Sequence, residues 1–335
     1  MKHANISLFV PHMGCPHQCS FCNQKTISGS VKELTPCDVT QTLNKAVNDG
    51  VDPKNTEIAF FGGSFTAIER AYMVSLLEAT RPFIKAGRFA GIRISTRPDA
   101  IDNEVLGILK SYGVTAIELG AQSTDPDVLI KNRRGHTRDD IFKASHLIKK
   151  WGFSLGLQMM TGLFGDTDEK ALQTCEDIIS LKPDTVRIYP TITLEGTHLG
   201  ELYKAGEYKP QSLESAVSLC GKLLKRFYDN QIAVIRLGLH SGGNVEDGYL
   251  SGPYHPAFGE MCQSAVYLEN AVGKLKTLDA ENKSITLYVN PSEISKMTGQ
   301  KGANKEKLRS FGYNVSVKGD STLKKYEIKP EINER

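Results

Sequence analysis

Several protein classes are excluded by what this chain does not contain. No stretch approaches the roughly 18 apolar residues of a membrane-spanning helix, and Met1 to Pro11 carries neither the basic flank nor the long apolar run of a secretory signal. No membrane partner is therefore expected, and a cytoplasmic location is. Seven cysteines, an odd number scattered over 335 residues, do not form a disulfide framework. In a reducing compartment their thiols stay available for metal. Low-complexity tracts and repeats of solenoid period are absent. Strong charge of one sign is missing as well: the net charge of +3 is too mild to mark a nucleic-acid binder by its sum. The charge is nevertheless uneven, about +5 from Gly273 to Arg335 against about −2 over everything before it.

What is present is an alternation. Seven short apolar segments read as strands: Ile6 to Val10, Glu57 to Phe61, Gly91 to Ser95, Ala116 to Leu119, Ser154 to Met159, Thr185 to Tyr189 and Ala233 to Leu237. Between them, segments such as Glu69 to Ile84, Asp139 to Trp151, Glu169 to Leu181 and Leu213 to Tyr228 repeat apolar residues at helical spacing. Strand followed by helix throughout predicts an α/β fold, a partial (β/α) barrel of TIM type. Polar or glycine-rich clusters follow the strands, among them Gly62-Gly63-Ser64, Thr96-Arg97-Pro98-Asp99 and Gly120-Ala121-Gln122-Ser123. In such a barrel these clusters converge on one mouth.

We expect three parts: a barrel over 1–240, a glycine-rich lid or linker with a connecting helix over 241–282, and a small basic domain over 283–335. The last part reads strand (Ile285 to Val289), helix (Pro291 to Thr298), helix (Ala303 to Phe311), strand (Asn314 to Val317), strand (Tyr326 to Lys329). Gly299-Gln300-Lys301-Gly302 separates its two helices. That order resembles a KH module, whose Gly-x-x-Gly loop lets a single-stranded backbone approach closely. Lys296, Lys301, Lys305, Lys307 and Arg309 surround the loop. The plain alternative is a tight helix-helix turn in a solvated basic domain.

Cys15-x-x-x-Cys19-x-x-Cys22 follows the first strand, where a barrel mouth would place it. Three thiolates can hold three irons of a cubane cluster and leave the fourth iron open. A zinc site with His12 or His17 as fourth ligand is the rival, but no second Cys-x-x-Cys occurs to complete the usual paired spacing. Cys37, Cys175, Cys220 and Cys262 lie in or beside predicted helices and read as buried thiols.

The spacing of these three cysteines, with Phe21 before Cys22, resembles the signature of the radical S-adenosylmethionine (SAM) superfamily. Gly62-Gly63 resembles its glycine motif, with Ser64 in place of the acidic residue often found there. Glu118-Leu-Gly-Ala-Gln-Ser, Arg134-Gly-His-Thr137, Gln158-Met-Met-Thr-Gly-Leu163, Arg187-Ile-Tyr-Pro-Thr191 and Glu195-Gly-Thr197 are similar, in order, to segments of the Elongator catalytic subunit family. No acetyltransferase domain follows the barrel here, so the resemblance does not bring acetyl-CoA chemistry with it.

The resemblance implies a barrel of radical SAM type. It further implies a [4Fe-4S] cluster on Cys15, Cys19 and Cys22 that binds SAM and donates one electron, giving methionine and a 5′-deoxyadenosyl radical. A reductant such as ferredoxin or flavodoxin would supply that electron. SAM needs a charged partner for its carboxylate, a polar one for its ribose and an apolar slot for adenine. Phe21, Gly62, Gly63, Ser64, Ser95, Arg97, Glu118, Gln122 and Gln158 are the candidates around SAM; Arg187, Tyr189 and Lys301 are candidates for the substrate. Rim packing is the alternative for Ser95, Arg97 and Gln122, and an ion pair with arginine is the alternative for Glu118. His136 reads as a loop residue beside a Thr137 cap. The expected function is modification of a tRNA base or other RNA. A small metabolite or peptide substrate, and a non-catalytic iron-sulfur RNA-binding protein, are the competing readings.

Overall fold

Nine-residue and shorter runs rich in β-branched and aliphatic side chains, joined by helices with one apolar face, let the helices cover the outer face of a parallel sheet. The computed structural model of the chain describes residues 4–10, 18–23, 33–239, 246–278 and 283–333. In chain order the elements are β1 (Ala4–Val10), α1 (Pro36–Asn48), β2 (Thr56–Gly62), α2 (Arg70–Lys85), β3 (Gly91–Thr96), α3 (Asn103–Ser111), β4 (Val114–Gln122), α4 (Pro126–Lys131) and α5 (Arg138–Lys150). They continue with β5 (Ser154–Thr161), α6 (Asp168–Leu181), β6 (Thr185–Pro190), β7 (Thr193–Leu194), α7 (His198–Lys204), α8 (Leu213–Asp229), β8 (Ala233–Leu237) and β9 (Tyr249–Ser251). The rest comprises α9 (Phe258–Lys276), β10 (Ser284–Val289), α10 (Ile294–Thr298), α11 (Ala303–Ser310), β11 (Asn314–Gly319) and β12 (Lys329–Ile332).

Seven parallel strands stand in the order β1-β2-β3-β4-β5-β6-β8, each beside the next in sequence, so the sheet curls one way into a half-barrel without a switch point. The seven strands read from the sequence are these seven. Helix starts at the mouth are set by side-chain caps. Thr35 with Asp38 and Thr137 with Asp140 form reciprocal capping boxes, and Asp102, Asp125, Thr167, Thr197 and Ser212 each accept from a first-turn N–H. The Thr137 cap is the one expected from sequence.

Three local expectations are corrected. Cys37 is exposed, because it falls in the first turn of α1 on the face away from Val39 and Leu43. The last strand begins at Lys329, not Tyr326. Tyr326 has a φ of +65° that no strand accommodates, and its ring is packed edge-on against Tyr228 and tilted against Tyr267. The segment from Pro291 to Thr298 opens as a 3-10 turn, Pro291–Glu293, before α10. Of the glycine-rich loop, 240–245 lies outside the described residues; beyond it β9 pairs antiparallel with β7, which ties Tyr249 to Ser251 onto the chain after β6.

The tail is a three-stranded sheet in the order β11-β10-β12, with β10 parallel to β11 and antiparallel to β12, and two helices meeting at Gly299 to Gly302. It packs on α9, which lies against α8, and the apolar core runs without a break from the barrel strands through Tyr267 to Ile285, Leu287 and Leu308. Helix α9 starts beside Gly238 at the carboxyl end of β8 and runs back toward the amino end of the sheet. Asn304, 6% exposed, locks the tail to its second turn, its amide donating to Ser264 O at 2.9 Å, Met297 O at 3.1 Å and Lys296 O at 3.3 Å. Truncating Asn304→Ala removes these hydrogen bonds from a buried site, and we expect a loss of about 1–3 kcal/mol in urea unfolding followed by circular dichroism.

Candidate functional site

The inner face of the half-barrel is polar. Glu57, Arg93, Glu118, Gln158 and Arg187 project from five adjacent strands, β2 to β6, and they satisfy one another. Arg187 grips Glu118 bidentately, Nε to Oε2 at 2.6 Å and Nη2 to Oε1 at 2.9 Å. Gln158 Nε2 adds a hydrogen bond at 2.9 Å, and Arg93 bridges Glu118 at 3.3 Å to Glu57 at 2.8 Å. Gly156 makes room for this, since a Cβ there would stand 2.7 Å from Glu118 Cγ. Burial works against the charge on Arg187, yet Glu118 holds its guanidinium above the ordinary range. Burial pushes the neighbouring Tyr189 phenol up, with Arg187 opposing it.

Above this layer the strand ends carry buried polar atoms that find no partner among the described residues: Ser95 Oγ on β3 and Gln122 Oε1 at the end of β4. Gln122 has a φ of +68°, which aims it away from the ladder direction of its strand. Gly62, at the end of β2, has a steric reason of its own: with a φ of +106°, a Cβ would meet Val10 O at 2.4 Å. Gly63 N donates to the same carbonyl at 2.9 Å, and Ser64 is buried beside it.

Cys15 lies outside the described residues, as do His12 and His17. Cys19 and Cys22 close one turn, Cys22 N donating to Cys19 O at 3.2 Å. The turn is clamped from two sides. Ser20 N and Oγ reach Asn132 O at 3.1 Å and Oδ1 at 2.7 Å, while Leu199 N, in the first turn of α7, donates to Ser20 O at 2.7 Å. Asn23 Nδ2 donates to Glu195 O at 3.2 Å. Asn132 is itself pinned to Val128 O and Phe164 O.

Arg134 then spans cysteine turn and sheet: its Nη1 lies 3.0 Å from Cys19 Sγ and its Nη2 donates to Gly120 O at 2.6 Å, with its guanidinium 5.9 Å from the Phe21 ring centroid. Arg97, 3% exposed, donates to Arg134 O at 2.6 Å and is paired to Asp99 through Nε at 2.8 Å and Nη2 at 2.9 Å. His136 is buried, its Nε2 3.2 Å from Ala121 O. Burial, then the adjacent Arg134 cation, pushes its imidazole down to about 4.

The structure thus gathers Cys19, Phe21, Cys22, Ser95, Arg97 and Gln122 at the carboxyl ends of the strands, and joins Glu118, Gln158, Arg187 and Tyr189 in a layer beneath them. Lys301 stands apart, exposed on the turn between α10 and α11 with a φ of +52°. Sequence reasoning assigned no role to Asn132 or Arg134, which clamp the cysteine turn from 112 and 115 residues downstream. No local spacing announces such a contact.

A curled parallel sheet carries at its mouth a cysteine turn and buried polar groups without partners among the described residues, the arrangement of a barrel built to hold a cofactor. Residues 9–178 match the Radical SAM superfamily and residues 183–268 the Radical_SAM C-terminal domain. The chain belongs to the radical SAM superfamily, whose members are enzymes that work with SAM and a [4Fe-4S] cluster. It is 34% identical over 256 residues, 64% of the chain and 48% of the relative, to tRNA uridine(34) acetyltransferase of Methanocaldococcus infernus. To Elongator complex protein 3 of Homo sapiens it is 35% identical over 137 residues, 40% of the chain and 25% of that protein. The solved structure of archaeal Methanocaldococcus infernus Elp3 with an N-terminal deletion shares the fold, with a TM-score of 0.62, 21% identity, and coverage of 83% of this chain and 64% of that one. The chain spans about half the length of the tRNA uridine(34) acetyltransferases it matches. Among the described residues, no helix is long and apolar enough to cross a membrane.

Two measurements follow from the buried charges. Glu118→Ala strands Arg187 without its carboxylate and leaves Arg93 with Glu57 alone, so unfolding in urea is expected to show a loss of about 3–5 kcal/mol. His136, facing Arg134, Arg97, Asp99 and Asp140, stays neutral when folded, whereas an unfolded histidine takes up a proton near its ordinary 6.5. The unfolded state then binds more protons, and stability falls as pH drops from 6.5 toward 4, by on the order of 3 kcal/mol. Asp166, raised by burial from 3.8 to about 6, tilts the other way in that range. The test is therefore the difference in slope between wild type and His136→Asn, which is expected to lose less stability on acidification.

Proposed function

We propose that Cys15, Cys19 and Cys22 hold a [4Fe-4S] cluster at the barrel mouth and that the chain modifies an RNA base, with the wobble uridine of tRNA as its substrate. The observation that carries the cluster reading is the cysteine turn itself: two thiols within one tight turn, pinned by Asn132 and Leu199 at the carboxyl ends of the strands, with a buried guanidinium on the Cys19 sulfur. That donor set suits three-thiolate ligation with one iron left for SAM. When bound, the cluster supplies the electron that splits a carbon-sulfur bond of SAM into methionine and a 5′-deoxyadenosyl radical, delivered from a ferredoxin or flavodoxin.

The chain's own residues do the placing. Ser95 Oγ and Gln122 Oε1, buried and without partners among the described residues, are the polar groups for the ribose and amino acid parts of SAM. Arg97, Phe21 and the Gly62-Gly63-Ser64 turn complete the candidate SAM surround. Glu118 and Gln158 sit beneath it and act through Arg187, whose guanidinium faces the Phe61 ring at 5.3 Å. With Tyr189 it forms the floor on the substrate side.

Support for RNA comes from the names of the relatives and from the tail, which we treat as a basic module over 283–335. Gly299, Lys301 and Gly302 all have positive φ, at 78°, 52° and 83°, which folds the chain into a tight turn between two short helices. Lys301, Lys307 and Arg309 are exposed around it, whereas Lys296 is paired to Glu293 at 2.7 Å. Because Asn304 docks this turn near the start of α9, the turn lies toward the mouth end of that helix, while Leu323 to Ile328 packs beside Ala233 and Lys274 at its other end.

The direct test is anaerobic reconstitution, reduction by dithionite with SAM, and chromatography of 5′-deoxyadenosine with and without bulk tRNA. Turnover raised by tRNA and abolished in Cys19→Ala supports the proposal; cleavage indifferent to RNA points to a small metabolite or peptide, and no cleavage by a loaded, reduced protein refutes it. Lys301→Ala is expected to weaken tRNA binding severalfold and to lower the salt slope of log affinity by about 1.

A further inference from the structure

Arg134 is nearly inaccessible, at 7% exposure, and its position is dictated from both ends. Its backbone carbonyl is held by Arg97, which Asp99 fixes in turn, and its side chain is held by Gly120 O. Among the described residues, no carboxylate comes within salt-bridge distance of it, and its Nε has no hydrogen-bond partner. A buried guanidinium without a counter-charge is costly. The group it does hold that can carry negative charge is the Cys19 sulfur, 3.0 Å from Nη1.

We infer that Arg134 is a positioning residue that tunes the iron-sulfur cluster through its Cys19 ligand, making the cluster easier to reduce. The inference rests on the reading that Cys15, Cys19 and Cys22 hold that cluster. In the reduction step one electron passes from a low-potential donor to the cluster, and no covalent bond forms or breaks. The added negative charge spreads partly onto the cysteine sulfurs. A cationic N–H donor on one sulfur, in a site shielded from water, stabilises the reduced form more than the oxidised form and raises the potential. The Phe21 ring beside the guanidinium helps to keep water from screening it.

The experiment is a redox titration of the reconstituted full chain followed by electron paramagnetic resonance, with iron and sulfide content measured on each sample. Arg134→Gln removes the charge and keeps a hydrogen-bonding group; Arg134→Lys keeps the charge and loses the fork. The reduced-to-oxidised ratio at a fixed potential is expected to fall about tenfold in Arg134→Gln, a midpoint shift of about 59 mV to more negative values for a one-electron couple. Arg134→Lys is expected to shift less than half as far. A fully loaded Arg134→Gln with the wild-type midpoint overturns the inference. If Arg134→Gln fails to load while Arg134→Lys loads and keeps most of the wild-type midpoint, the charge is required and the inference stands. If neither loads although circular dichroism shows both folded, Arg134 only shapes the turn and the inference falls. Wild-type protein that takes up no cluster defeats the ligand assignment instead.

Discussion

A carboxylate in the middle of a barrel strand has to be paid for, and in this chain the pairing of Glu118 with Arg187 and Arg93 does so while tying the inner faces of the sheet together. Glu118 is 1% exposed and accepts from two arginines and a glutamine. The network begins at Glu57 on β2 and ends at Arg187 on β6, so it crosses most of the sheet. A closed TIM barrel fills its interior with layers of branched apolar side chains. A half-barrel is open on one side, and an inner face of paired charges can meet water and a polar substrate there without exposing an apolar surface. The same pairing makes the floor of the mouth rigid, because each charge is held by the next.

The mouth is assembled on that floor from segments far apart in the chain. The cysteine turn comes from the start, its clamp from residues 132–134 and 199, and its electrostatic partner Arg134 from the loop before α5. His136, held neutral in the same loop, adds no second cation beside Arg134 at neutral pH. The result is a site in which positive charge is concentrated on one side of the Cys19 sulfur. Elsewhere in the core, burial pushes the Cys175 thiol up to about 12 against the opposing pull of Arg226, and burial pushes Cys262 up as well.

The tail is joined to the barrel by a continuous core and not by a bare linker. Tyr267 illustrates the join: it is fully buried, its hydroxyl donates to Glu293 Oε2 at 3.3 Å and accepts from Tyr326 N at 2.8 Å. A basic module fastened this way holds a set orientation to α9 and hence to the strand ends near Gly238.

By itself the sequence determined the seven strands, their β-then-α order, the cysteine spacing and the Gly-x-x-Gly turn, because each is a local or periodic pattern carried by consecutive residues. It also marked Glu118 as an anomaly in an apolar strand, but kept the ion pair only as the alternative to a SAM contact; the partners on β3, β5 and β6 are known only once the register is. Cys37 and the strand at Lys329 were misread because a helix face and a left-handed Tyr326 depend on what packs against them. Above all, the contact of Arg134 with Cys19 was illegible, since 115 residues separate them and only the curl of the sheet brings the two loops to one mouth. Sequence specifies which chemistry is possible; the closure of the half-barrel decides which buried charge faces which sulfur.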